Sequence, residues 1–179
     1  EKMTYAEEIE YLVTNSVRNQ FIIDLCRNIS GNTLCLFQLV EKHGKILYEE
    51  ISKIAKNRKV FFVYGGVDSL EREKIREIVE NEKDAIIIAS FGTFSTGINI
   101  RNLHNIVFAS PSKSKIRVLQ SIGRGLRVTK SKMEVIVFDI ADDMSYRERR
   151  NFTLNHFSER INIYNEQQFN YEISKVKLK

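Results

Sequence analysis

The sequence predicts an α/β protein whose mostly parallel sheet carries helices on both faces. Three observations predict it. Short apolar runs recur along the chain, helical patterns lie between them, and the connections are too short for anything but right-handed crossovers. With 179 residues, 42% of them apolar, the chain can bury one ordinary globular core.

Taken in order, the apolar runs are TLCLF (33–37), VFFVY (60–64), AIIIA (85–89), NIVFA (105–109) and EVIVFDI (134–140). They read as buried strands, because a parallel sheet covered on both faces asks for continuous apolar residues in place of alternation. Between the first two runs, residues 41–55 place Ile46, Leu47, Ile51 and Ile54 on one helical face. Residues 68–80 open with Asp68 and Glu71 at capping-box spacing. A further helix is expected over 113–122, between the last two strands, and Pro111, the only proline, marks the exit from the fourth. The flanking segments 5–29 and 145–165 have amphipathic helical patterns. In such a sheet, ligands sit outside the C-terminal strand ends. The loops after Phe37, Tyr64, Ala89, Ala109 and Ile140 are therefore where a site is expected.

Charge points to the ligand class. Lys and Arg exceed Asp and Glu by 28 to 23, and the excess is concentrated. From Ala85 to Met133 there is no acidic residue, while Arg101, Lys113, Lys115, Arg117, Arg124, Arg127, Lys130 and Lys132 all fall there. A polyanionic partner explains so long an acid-free stretch better than a solvated face does. Cys26 and Cys35 have neither C-x-x-C spacing nor a neighbouring histidine, so they read as small buried hydrophobes in a reducing compartment, with no metal site expected. No apolar run is long enough for a bilayer, and the acidic start EKMTYAEEIEYL is unlike a signal peptide. The expectation is a cytoplasmic protein with no membrane partner.

The elements that grip a nucleotide triphosphate directly are missing from this sequence. Gly92 and Gly97 have P-loop glycine spacing, but Ile98 and Asn99 stand where Lys and Ser or Thr would hold phosphates and Mg2+. Gly123 and Gly125 are followed by Val128 where a dinucleotide fingerprint needs its third glycine. Asp142 and Asp143 are adjacent but have no phosphate loop to serve. This chain alone is expected not to hydrolyse ATP. The stretch QSIGRGLR (120–127) still places Arg124 and Arg127 three residues apart beside glycine-freed backbone. Two forked, permanent charges aimed at one spot suit the oxygens of a transferring phosphoryl group held by another domain. Taken alone, the pair could equally be a surface pair at a helix end.

QSIGRGLR resembles motif VI of the superfamily 2 helicases, Q-x-x-G-R-x-x-R. IIIASFGTFSTGINIRNLHNIVFA resembles their motif V with its flanking strands, TLCLFQLVEKHGKIL their motif IV, and FFVYGGVDSLEREKI the strand, glycine turn and helix that follow. The wording of ASFGTFSTGI and SKIRVLQSIGRGLR resembles that of phage recombination helicases of the superfamily. All these stretches belong to the second RecA-like lobe, in the right order, over residues 30–142.

The resemblance implies a P-loop NTPase-type, RecA-like fold. Residues 1–29 would be a helical linker from a missing first lobe, and 143–179 a C-terminal helical extension. It implies that Arg127 is the arginine finger on the γ-phosphate, that Arg124 is its partner, and that Gln120 couples the phosphate to the lobe interface. Gly97 and Asn99 would approach the nucleotide, with Gly123 in the motif VI turn. Asn99 stands where many relatives have Asp, and its amide can still hydrogen-bond a hydroxyl. Lys42, His43 and Gly44, with Thr93 and Ser95, would hold nucleic-acid phosphates, and Lys113, Lys115 and Arg117 form the basic run beside them. ATP and Mg2+ would be bound mainly by the missing N-terminal lobe, itself a partner of this one, and DNA would be the track.

An RNA helicase, a remodeller or a restriction translocase could use the same lobe, and a non-enzymatic nucleic-acid-binding module is the alternative of another class. His104 and His156 read as structural. The tyrosines and phenylalanines are spaced as core and edge packing, so base stacking is not expected.

Overall fold

The computed structural model describes residues 3–97, 100–111 and 134–179. Strands β1 (Thr33–Phe37), β2 (Val60–Val63), β3 (Ile86–Ser90), β4 (Asn105–Phe108) and β5 (Ile136–Asp139) form one sheet in the order β2-β3-β1-β4-β5. Every neighbouring pair is parallel. Each lies within about two residues of an expected apolar run. The three inner strands β1, β3 and β4 are almost wholly buried, while β2 and β5 are half-exposed. Covered inner strands are what made the runs continuous in the sequence.

Helices α1 (Tyr5–Thr14), α2 (Ser16–Asn28), α3 (Lys45–Ile54), α4 (Ser69–Glu80), α5 (Phe91–Gly97) and α6 (Phe152–Glu166) complete the described elements. The chain leaves β1 for the far strand β2 through α3, then moves back across the sheet through α4 and α5. Crossovers of one hand that move in opposite directions put their helices on opposite faces. Accordingly, Leu47 and Ile51 of α3 join Ile22, Ile23 and Cys26 of α2 over Cys35, Phe37, Ile88 and Val107. On the other face, Ile75 and Val79 of α4, Phe91 of α5 and Tyr164 of α6 cover Leu34, Leu36, Ile87 and Phe108. Helices on both faces of a parallel sheet are thus found as expected. Helix α2, from the segment read as a linker, is part of this core.

Three local departures from the sequence reading matter for the site. The segment 5–29 is broken at Asn15, whose side chain accepts the Arg18 amide at 2.9 Å and so starts a new helix. The helix expected from Glu41 begins instead as a π-helical turn, Val40–Gly44. A Cβ on Gly44 would lie 2.5 Å from the Phe37 ring, so any larger residue there would have to push the ring or the turn aside. The helix expected from Ser145 starts at Phe152, after a tight turn in which Tyr146 and Arg149 exchange backbone hydrogen bonds of 3.0 and 3.1 Å. Asp68 caps α4 by accepting the Glu71 amide at 2.8 Å, the N-cap half of the expected capping box. The helix expected over 113–122 lies outside the described residues.

Candidate nucleotide and nucleic-acid interface

The connection from β1 leaves towards β2, whereas β4 leads on to β5 at the opposite side. The crevice between the C-terminal ends of β1 and β4 is therefore the topological switch point of the sheet, where open α/β sheets bind ligands. A buried polar chain bridges it. Ser110, just past β4, accepts the Gln38 amide on its Oγ at 3.0 Å and lies 2.9 Å from Nδ1 of His43. Nε2 of His43 lies 3.0 Å from Oδ1 of Asn19, whose Nδ2 donates to the Val13 carbonyl at 2.9 Å. Because Oδ1 can only accept, Nε2 carries the proton and Nδ1 accepts from the Ser110 hydroxyl. The ring is neutral in this arrangement. Burial, helped by the Arg18 charge, pushes the His43 pKa down to about 3.

Two buried ion pairs hold the same edge. Arg18 of α2 forks onto Asp142 with bonds of 2.7 and 3.0 Å and donates to the Ala109 carbonyl at 2.8 Å. It thereby ties α2 to the chain just beyond β4 and β5. Arg160 of α6 forks onto Asp139 at 2.6 and 2.9 Å, and the Tyr164 hydroxyl donates to the same carboxylate. Burial, followed by the Asp139 charge, holds the Tyr164 phenol well above its ordinary range. A third contact reaches across from α1. The Glu8 carboxylate accepts the Phe152 and Thr153 amides at 2.9 and 2.7 Å, capping α6 from another helix in place of its own N-cap side chain. Burial raises the Glu8 carboxyl, but hydrogen bonds from Thr153, Asn151 and Phe152 outweigh it and leave the pKa below the ordinary value.

The expected phosphate-gripping residues fall into distinct environments. Lys42 is exposed and forms a surface pair with Glu10 at 2.5 Å, a contact weak enough to exchange for another anion. His43 does not fit direct contact with a phosphate, because its ring is fully enclosed and both nitrogens are engaged. Gly44 is buried against Phe37. Thr93 is also buried, with its hydroxyl 2.7 Å from the Ser90 hydroxyl. Both Ser95 and Gly97 lie on α5, directly after β3. Gln120, Gly123, Arg124, Arg127, Asn99, Lys113, Lys115 and Arg117 lie outside the described residues.

Asp139 and Asp142 are each occupied by a buried arginine, so neither offers an open carboxylate to Mg2+. Among the described residues, no cluster of His, Cys, Asp or Glu could hold a metal ion, and no helix is long and apolar enough to cross a membrane. Sequence reasoning missed Arg18, Asn19, Ser110 and Glu8 altogether. Nothing in their spacing marks them, since each acts on a partner far along the chain.

Comparison with known proteins gives these contacts a context. The helicase conserved C-terminal domain matches residues 17–129, more than half of the chain, starting within α2. The ATP-dependent DNA helicase UvsW of Enterobacteria phage T4 is 37% identical over 98% of this chain, which spans 37% of that relative's length. The crystal structure of T4 UvsW superimposes with a TM-score of 0.83, covering 98% of this chain and 38% of that one. The C-terminal part of the Fun30 ATPase domain, 16% identical, has the same fold with a TM-score of 0.57, over 95% of this chain and 58% of that one. A parallel RecA-like sheet in the order β2-β3-β1-β4-β5, matched on these terms, places the chain in the helicase conserved C-terminal domain family, as a UvsW-like member.

Proposed function

We propose that the chain is the second motor lobe of an ATP-dependent DNA helicase or translocase that serves recombination, repair or replication-fork remodelling in a bacterial or phage-infected cytoplasm. The observation that carries this reading is the 37% identity, over 98% of the chain, to a protein named as an ATP-dependent DNA helicase. That span includes QSIGRGLR.

In this reading the nucleotide and Mg2+ sit mainly on the first lobe, and ATP supplies the phosphoryl group whose transfer to water drives stepping. Arg127 and Arg124 stabilise the charge that spreads over that group, and Gln120 links it to the lobe interface. Gly97, Asn99 and Gly123 line the nucleotide side of the interface. Lys42, Ser95, Lys113, Lys115 and Arg117 belong to the surface that meets the nucleic-acid backbone, with the buried Thr93 supporting it from beneath through Ser90, which gives binding without a base-reading rule. His43 and Gly44 act from beneath, shaping the turn that presents Lys42. Alternation between this grip and one on the first lobe turns closure of the two lobes into movement along the strand.

The test is Arg127→Ala in the full-length protein. ATP affinity and folding should stay nearly unchanged while DNA-stimulated kcat falls by roughly 10³ to 10⁵, the range for finger arginines. Arg127→Lys should not restore it, because lysine lacks the planar fork. Wild-type turnover by Arg127→Ala at saturating DNA sinks the finger assignment.

A further inference from the structure

The turn after β5 lies at the same edge of the sheet, and none of the helicase motifs uses it. Its base is tightly held. Asn151 accepts the Met144 amide on Oδ1 at 3.0 Å and donates through Nδ2 to the Asp142 carbonyl at 3.0 Å and to Glu8 at 2.9 Å. Asp143 accepts the Ser145 amide at 3.0 Å, and hydrogen bonds from Ser145 hold its carboxyl below the ordinary range. Asp142 is clamped by Arg18, which also holds the Ala109 carbonyl beside Ser110. The base is thus tied directly to the switch-point crevice.

The tip is the opposite. Tyr146 is 71% exposed, which departs from the expectation that every aromatic packs in the core or at its edge. Arg147 has φ +56, a left-handed value that glycine adopts at far lower cost. It places its guanidinium carbon 5.3 Å from the centre of the Tyr146 ring. Arg149 and Arg150 follow, exposed, against the single acid Glu148. A turn built only to connect β5 to α6 needs neither a strained arginine nor an exposed ring. Backbone strain kept at a rigidly mounted tip is a recurrent mark of a binding site.

We propose that the Tyr146–Arg149 turn is a nucleic-acid contact, in which Tyr146 stacks on a base of a single-stranded segment and Arg147 and Arg149 meet the flanking phosphates. This rests on the reading of the chain as a nucleic-acid motor lobe. An aromatic ring backed by a guanidinium suits any base, because every base offers a π-face, and the arginines supply the sequence-independent charge.

Fluorescence anisotropy of this chain with labelled oligodeoxythymidylate, over a series of KCl concentrations, tests the proposal. Tyr146→Ala should weaken binding about 5- to 100-fold while leaving the salt slope unchanged, and Tyr146→Phe should bind as wild type does. Arg147→Ala and Arg149→Ala should each flatten the slope by about 0.7. Since these side chains are exposed, thermal melting should be the same for all variants. If the wild-type chain binds but Tyr146→Ala, Arg147→Ala and Arg149→Ala all match it in affinity and slope, the turn is not a contact and the motor-lobe reading stands. If the wild-type chain shows no salt-dependent binding, the turn is not a contact, whereas the motor-lobe reading is decided separately by Arg127→Ala in the full-length protein.

Discussion

His43 should make the folding of this chain sensitive to mild acid. Its ring is enclosed between α2, the π-helical turn and Ser110, and the Nε2–H tautomer leaves no place for a second proton. The pKa is about 3 in the fold, with burial the first cause and the Arg18 charge the second, against 6.5 for a free side chain. Between those two values only the unfolded chain takes up the proton, so stability is intact above pH 6.5 and falls as the pH drops. At about 1.4 kcal/mol per pH unit, the loss from pH 7 to pH 5 is about 2 kcal/mol. It levels off near a total of about 5 kcal/mol below pH 3. Against a domain stability on the order of 5–15 kcal/mol, such a loss is easily measured.

Urea unfolding of the wild type and of His43→Gln at pH 7, 6 and 5 isolates the effect from the other titrating groups. Glutamine can still donate towards Asn19 but cannot ionise in this range. The variant should be less stable at pH 7 by about 1–3 kcal/mol, because a fitted ring and a buried hydrogen bond are lost. The gap should narrow by about 2 kcal/mol at pH 5. Parallel stability curves for the two proteins would refute the neutral, enclosed histidine.

The remaining expectations concern the supports around it. Arg18→Ala should destabilise the fold by about 3–5 kcal/mol in urea unfolding, since Asp142 is left buried without its counter-charge and the Ala109 carbonyl without its donor. Arg18→Lys should recover little, as one ammonium cannot fork onto Asp142 and also reach Ala109; full recovery would show that charge alone matters. Gly44→Ala should cost about 1–3 kcal/mol, because the new methyl would meet the Phe37 ring at 2.5 Å, and an unchanged unfolding midpoint would show that the turn can shift freely.

The sheet was legible from the sequence because burial on both faces leaves a local trace. LCLF, AIIIA and IVFA are unbroken apolar runs, and β1, β3 and β4 lie on them as the covered inner strands. The start of α4 was legible for the same reason, since Asp68 caps an amide three residues away. The motor chemistry was legible only through resemblance. QSIGRGLR names the residue types, while its geometry lies outside the described residues.

What tertiary structure alone decided is pairing at long range. Arg18 finds Asp142 across 124 positions, Glu8 caps α6 across 145, and His43 meets Ser110 across 67. A charged or polar side chain shows in the sequence that it needs a partner, but not which one. His43 therefore reads, with Lys42 and Gly44, as a residue that would hold a nucleic-acid phosphate, although it sits at the buried centre of the switch point. Tyr146 is the reverse case, a residue type suited to the core that a tight turn carries into solvent. Periodicity records which face of a local element is covered. Which distant side chain completes a charge or a hydrogen bond depends on where the folded sheet brings the ends of its strands together.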